Sequence, residues 1–265
     1  MDALLQNLAN AISLGSLYAL IAIGYTMVYG IIRLINFAHG DIFMFALYAV
    51  YYGAVMFMLP WPLAVLGAII VTIAMGVAIE RFAYRPLRSA PKLSVLISAI
   101  GVSFFLESLA TVIFTGLPKS FPAPDFFNGT QVFGGVSIAN VTFIIPIVTF
   151  LCLAGLVYVI DHTKTGMAMR AVSRDYTASR LMAIDVDRIV TLTFVFGSGL
   201  AAVGGVLWGI RYVQITPLMG VMPGLKCFIA AVIGGIGNIR GAVLGGFLLG
   251  FLEIFLVGLM PGLTG

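Results

Sequence analysis

The sequence predicts an all-α, polytopic transmembrane helical bundle of about eight spans, with a cytoplasmic helix lying outside the spans. Three observations carry this prediction. Hydrophobic residues make up 61% of the chain and charged residues only 9%, where a water-soluble domain carries about 25% charged residues. The mean hydropathy is +1.13. The apolar runs are also too long for the alternating strands of about ten residues that build a membrane barrel, which leaves helices as the spanning element. Spans of about 20 residues joined by short turns divide the 265 residues into one bundle, a single domain over 1–265.

The first span, 8–32, follows an N-terminus with no basic leader and no small-residue cleavage site, so it is expected to be retained. Asn36-Phe37-Ala38-His39-Gly40-Asp41 then forms a junction at cytoplasmic depth. There Asn36 is placed to cap the incoming helix, and Gly40 permits a tight reversal. Spans 41–59 and 62–80 follow, and a loop holding Arg81, Arg85, Arg88 and Lys92 leads into span 93–115. That span carries Glu107 beside Ser103 and Ser108.

The 116–140 connection is the longest loop on the other side, and GLPKSFPAPDFFNGTQVFGG is rich in Pro, Gly and aromatics. Two readings are open: a cap that receives a soluble partner, or a lid that covers the bundle. Asn128-Gly129-Thr130 matches the glycosylation tripeptide, a match frequent by chance.

Span 141–160 ends at a charged island, 161–188, DHTKTGMAMRAVSRDYTASRLMAIDVDR. GMAMRAVSRD reads as one helix and DYTASRLMAID as a second, short one capped by Asp175, whose carboxylate accepts from the first free backbone N–H groups. The short helix sets Tyr176, Leu181, Met182 and Ile184 among charges. That pattern suits a helix lying flat on the membrane surface and docking into another protein. A solvated loop would account for the charges and not for the ordered apolar residues.

Spans 189–211, 224–238 and 241–259 complete the bundle. Between the last two lies Gly234-Gly235-Ile236-Gly237-Asn238-Ile239-Arg240-Gly241, a second junction with Asn238 shortly before Gly241. Its likeness to the first junction points to two related halves, with chance clustering of glycine as the competing reading. Gly197, Gly199, Gly204 and Gly205 in one span, and Gly241, Gly245, Gly246 and Gly250 in another, are expected to pack helices closely. Ionisable groups at membrane depth are functional candidates by default. Glu107, Lys226 and Glu253 qualify; Lys226 is expected to pair with Glu253 across the last hairpin, and Glu107 to be neutral and hydrogen-bonded.

Orientation follows from the cations. Arg81, Arg85, Arg88 and Lys92 share a side with Lys164, Arg170, Arg174, Arg180, Arg188, Arg33 and Arg240, eleven of the 14 lysines and arginines. Positive residues mark the cytoplasmic side, so the N-terminus lies outside. The net charge of +4 is thus topogenic and does not argue for nucleic acid, which needs cations on one soluble face with stacking aromatics. Cys152 and Cys227 lie in apolar segments, and His39 and His162 are too few for a metal cage, so no metal or other cofactor is expected. No phosphate-binding loop, nucleophile elbow or H-E-x-x-H pair occurs, so the chain is not expected to be an enzyme, and any ATP-driven work belongs to another subunit.

LGSLYALIAIGYTMVYGIIRLINFAHGDIFM, IERFAYRPLRSAPKLSVLISAIGVSFFLES, RAVSRDYTASRLMAIDVDRIVTLTFVFGSGLAAVGGVLWG and GLKCFIAAVIGGIGNIRGAVLGGFLLGFLE resemble the LivH-type permease of branched-chain amino acid ABC importers. The resemblance runs through essentially the whole chain, in order. It implies an inner-membrane subunit that pairs with a second, LivM-like permease and two ABC ATPase subunits. A periplasmic substrate-binding protein delivers the substrate, and membrane lipid surrounds the bundle. It implies that 161–188 is the ATPase-coupling segment, with Gly166, Arg170, Ala171, Asp175, Ala178, Leu181 and Ile184 at the matching positions, and that 116–140 is periplasmic. Asn36, Gly40, Asn238 and Gly241 are the expected hinge positions. Family members continue past PGLTG into one more hydrophobic segment, so a C-terminal span is expected to be missing here.

The mechanism expected is alternating access, driven by ATPases that pull on the helix around 175–184, with Arg170, Asp175 and Leu181 transmitting the motion. The passage is expected to be lined by small apolar and weakly polar groups. The alternatives are a urea or short-chain amide permease, a sugar importer of the same superfamily, a stand-alone secondary transporter or channel, and a membrane enzyme.

Overall fold

A computed structural model describes residues 2–88, 90–133 and 136–259. Its helices are α1 (Asp2–Ile32), α2 (His39–Tyr51), α3 (Trp61–Ile79), α4 (Lys92–Phe114), a single turn α5 (Asp125–Asn128), α6 (Asn140–His162), α7 (Lys164–Arg174), α8 (Tyr176–Leu181), α9 (Val186–Tyr212), α10 (Val221–Ile233) and α11 (Ile239–Leu259). β1 (Lys119–Ser120) pairs antiparallel with β4 (Gln214–Ile215), and β2 (Thr130–Phe133) with β3 (Val136–Ala139). The all-α bundle is the fold observed. The PGLTG end, on which the expected missing span bears, lies outside the described residues.

Among the described residues, six helices are long and apolar enough to cross a membrane: Leu4–Ile32, Trp61–Leu87, Leu93–Phe114, Asn140–His162, Val186–Tyr212 and Ile239–Gly258. The expected spans 41–59 and 224–238 are instead the short helices α2 and α10, of 13 residues each. Thirteen residues rise only about 20 Å, less than the hydrocarbon core of about 30 Å. A π-helical turn over Tyr52–Met56 lengthens α2.

Both short helices begin inside the bundle. The His39 ring occupies the space where a Cβ on Gly24 would stand, and it meets Tyr25 edge-on at 4.6 Å between centroids. Gly24 lies eight residues before the end of α1, about 12 Å along the axis at 1.5 Å per residue. The chain therefore turns at Arg33, climbs back along α1, and starts α2 within the protein. The junction expected at cytoplasmic depth is a re-entrant segment. α10 starts against the same point: the Gly220 carbonyl oxygen lies 2.6 Å, and the Gly224 Cα 3.2 Å, from the position of a Cβ on Gly40. Only residues without side chains let the two helix starts approach so closely.

α1 is the hub. Leu17 through Ile23 are all buried, and α1 shares its longest face with α11, then with α9. α3, α4 and α6 keep much of their apolar surface exposed, as Leu66, Ile97, Phe104 and Phe150 illustrate, and in a bilayer that surface meets lipid at no cost. The glycines of α11 act in packing: Gly246 and Gly250 press on Ala19 and Gly15 of α1, while Gly245 presses on Ala230 of α10 and Gly241 on Gly234 at its C-terminal cap.

The basic loops meet at one end of the bundle. Arg33 donates to the Ser173 carbonyl at 3.3 Å, Arg85 pairs with Asp187 at 2.6 Å, and Arg240 approaches Asp161 at 4.0 Å. At the other end Lys119 donates to the Tyr52 hydroxyl at 2.8 Å, and Phe121 is buried in contact distance of Gly209.

Candidate functional site

At the basic end the 161–188 segment forms two helices as the sequence predicts, and its residues divide into those that build it and those it presents. Thr163 caps α7 by accepting from the Gly166 N–H at 3.1 Å. Gly166 is buried where α7 folds back on α6, with the carbonyls of Val159 and Ile160 in the space a side chain would need. Arg170 turns toward α6, donating to the Ile160 carbonyl and lying 3.6 Å from Asp161. Ala171 is half-buried on the same helix.

Asp175 caps α8: its Oδ1 accepts from Thr177 N–H at 2.7 Å and Ala178 N–H at 2.9 Å. Tyr176 anchors that helix by donating its hydroxyl to the Ile31 carbonyl of α1 at 2.7 Å. Burial pushes its phenol above the ordinary value, with Arg88 and Arg33 acting in the opposite direction. Ile184 packs against the core. What remains outward is Ala178, Leu181 and Met182, the last two 83% and 78% exposed. Leu181 and Met182 are thus adjacent, exposed apolar residues on a capped helix that Tyr176 anchors to α1.

Beneath α8 lies an ion network that sequence reasoning did not single out. Glu80, 1% exposed, pairs with Arg88 and accepts from Thr191 at 3.0 Å. Arg88 also reaches Asp187 at 2.5 Å, beside the Arg85 pair. These contacts tie the end of α3 to the first turns of α9. The visible signal was the run of arginines directly after an apolar span, with Glu80 at its start.

Within the bundle, Lys226 and Glu253 pair at 2.6 Å, as expected, and Glu253 also accepts from the Tyr18 hydroxyl at 2.7 Å. The pair lies beside the Tyr18 ring of the hub helix. Asn36 does not cap α2, whose N-cap position is Ala38 with no side-chain bond; its Oδ1 accepts from the buried Tyr84 hydroxyl at 3.1 Å. Asn238 does accept from the Gly241 N–H, at 3.2 Å, and positive φ at Gly235 and Gly237 closes that turn.

Glu107 has company that the sequence did not reveal. Ser103, one turn earlier on α4, donates to Asp41 Oδ2 at 2.6 Å. Asp41 is 2% exposed and stands in the first turn of α2, beside the start of α10. A cavity of about 140 Å³ opens here, lined by Tyr25, Phe37, Asp41, Ser103, Glu107 and Leu225 among others.

Among the described residues, no group of three or more His, Cys, Asp or Glu could hold a metal ion. A family model described as the branched-chain amino acid transport system permease component matches residues 7–262. The chain is 45% identical over 262 residues to the high-affinity branched-chain amino acid transport system permease protein LivH of Salmonella typhimurium, covering 94% of this chain and 84% of that one. It is 47% identical over 264 residues to the corresponding BraD protein of Pseudomonas aeruginosa, covering 95% and 85%. It is 28% identical over 255 residues to a probable LivH of Methanocaldococcus jannaschii, covering 93% and 79%.

Proposed function

Because the chain belongs to the family of branched-chain amino acid transport permease components, we propose that it forms half of the path of an ATP-driven, binding-protein-dependent importer. It is a multi-pass inner-membrane protein. The transport is of branched-chain amino acids, as in the names of its relatives, and the chain itself contributes no bond chemistry.

The observation that carries the reading is the outward pair Leu181 and Met182 on a helix held to α1 through Tyr176 and Ile31. A partner ATPase gripping α8 on the cytoplasmic side would move α1, and with it the hub of the bundle. Asp175 keeps α8 wound, Gly166 and Arg170 set the angle at which α7 leaves α6, and Ala171, Ala178 and Ile184 complete the segment. The 116–140 connection faces the periplasm, where a loaded substrate-binding protein docks. A second, LivM-like permease completes the pair, and two ATPases complete the assembly. Alternating access follows if the two permease bundles rock about the path when ATP closes the ATPases.

The test is affinity purification of the tagged chain in mild detergent from its native membrane, followed by mass spectrometry. Two ATPases and a second permease are expected. Recovery of the chain alone, with uptake in vesicles driven by a proton gradient and not by ATP, overturns the reading in favour of a stand-alone carrier.

A further inference from the structure

Asp41 is a carboxylate shut inside a membrane protein, and no described cation pairs with it. Among the described residues, the ion pairs join Arg85 and Arg88 to Asp187, Arg88 to Glu80, Arg170 and Arg240 to Asp161, and Lys226 to Glu253. None involves Asp41 or Glu107. Both carboxylates line one cavity, and the Ser103 hydroxyl beside them donates to Asp41 Oδ2. Buried charges are ordinarily paired or hydrogen-bonded throughout, because an uncompensated one is expensive. One serine hydroxyl is thin compensation for two acids.

The placement adds a second point. Glu107 sits two turns before the end of a 23-residue spanning helix and is only half-buried. A carboxylate there does not face hydrocarbon; it faces a bundle interior or water. The cavity opens between α4 and α10, beside the exposed side chains of Val221 and Leu225. It also lies at the meeting point of the inner starts of α2 and α10, where the irregular backbone before each helix requires a protein or water lining. Interrupted helices that meet inside a bundle are where membrane carriers hold their cargo.

We propose that Asp41, Ser103 and Glu107 form a station on the translocation path that takes the ammonium group of the travelling amino acid. This rests on the permease reading above. A primary ammonium has three N–H donors, matched here by two carboxylates and one hydroxyl, and its charge supplies the cation the site lacks. Tyr25, Phe37 and Leu225 leave the remaining wall apolar or aromatic, suited to an aliphatic side chain. The station discriminates against urea and simple amides, which carry no cationic end to offset the carboxylates.

The test uses the complete importer reconstituted in proteoliposomes, with radiolabelled leucine and leucine-loaded binding protein outside. Asp41→Asn keeps the size and one acceptor oxygen and removes the charge. It is expected to lower ATP-dependent leucine uptake at least tenfold, with Glu107→Gln lowering it less. Subunit recovery and ATP hydrolysis stimulated by the loaded binding protein should stay within twofold of wild type. Uptake unchanged in both variants overturns the station while leaving the permease reading intact. A wild-type assembly without ATP-dependent uptake overturns the permease reading, and the station with it.

A second measurement does not depend on turnover. Leu225→Cys, labelled with a water-soluble maleimide, should be protected by isopentylamine, the decarboxylated analogue of leucine, and not by isocaproate, which lacks the nitrogen. Asp41→Asn should remove that protection. Equal protection by both compounds, or protection that survives Asp41→Asn, overturns the proposal.

Discussion

The Tyr176 hydroxyl donates to the Ile31 carbonyl at 2.7 Å, joining a surface helix to the last turn of the hub helix across 145 residues of sequence. An α-helix ends with carbonyls that have no intrahelical partner, and Tyr176 supplies one. Tyr176→Phe removes that donor, costing about 0.5–1.5 kcal/mol for a neutral hydrogen bond. Amide hydrogen exchange in α8 should accelerate, while exchange in α9 stays unchanged.

The same residue makes the anchor pH-dependent. Burial raises the Tyr176 phenol in the folded protein, so the native state keeps a proton that an unfolded phenol, with a pKa of about 10, gives up. The contribution is fully present below that value and is lost as pH rises through the higher native one. Protection of α8 amides, after correction for the intrinsic exchange rate, should fall above about pH 10. In Tyr176→Phe this part of the pH dependence should be absent.

Leu181→Asp is expected to abolish co-purification of the ATPases without shifting the melting temperature of the chain. Its side chain is 83% exposed, and surface substitutions of this kind change stability by no more than about 0.5 kcal/mol. A fall in melting temperature as large as that of a core mutant would show that Leu181 packs within this chain.

Glu80 and Arg88 give the opposite expectation. Arg88→Met leaves a carboxylate that is 1% exposed without its cation, at a cost of about 3–5 kcal/mol. The double variant Glu80→Leu, Arg88→Met should recover much of that loss, because no unpaired charge remains. Thermal unfolding in detergent would measure both.

Much of this architecture is written in the chain, for identifiable reasons. Caps such as Asp175 and Asn238 act on backbone within three residues, so local sequence reveals them. Lys226 and Glu253 were readable as partners because two adjacent apolar segments, 224–238 and 241–259, with a single ion each leave little choice. Asp41 was not readable. It followed a glycine in what looked like a surface turn, and no periodicity reports how deep a short helix begins. Asn36 misled for the same reason: it has the composition of a helix cap, yet Tyr84, 48 residues away, claims its carbonyl oxygen. The division of 161–188 into presented and structural residues also needed coordinates, because Gly166 and Leu181 differ in what stands next to them.

Gly220→Leu tests the inner meeting of α2 and α10. The Gly40 backbone occupies the space its side chain would need, and overpacking of a tight core costs about 1–3 kcal/mol. The variant should melt lower than wild type, while Gly67→Leu, at a site with no neighbour within 4 Å, should not.

The glycine contacts of α11 also separate two kinds of joint in the molecule. With Gly246 and Gly250 seated on Ala19 and Gly15, and Gly241 and Gly245 on Gly234 and Ala230, three helices are meshed at backbone distance. α4 has no such engagement, and its contacts run to α2 and to the turn after α3. The joint between α4 and α2 is made instead by side chains, the Ser103 hydroxyl on Asp41 and the stacked rings of Phe114 and Tyr48.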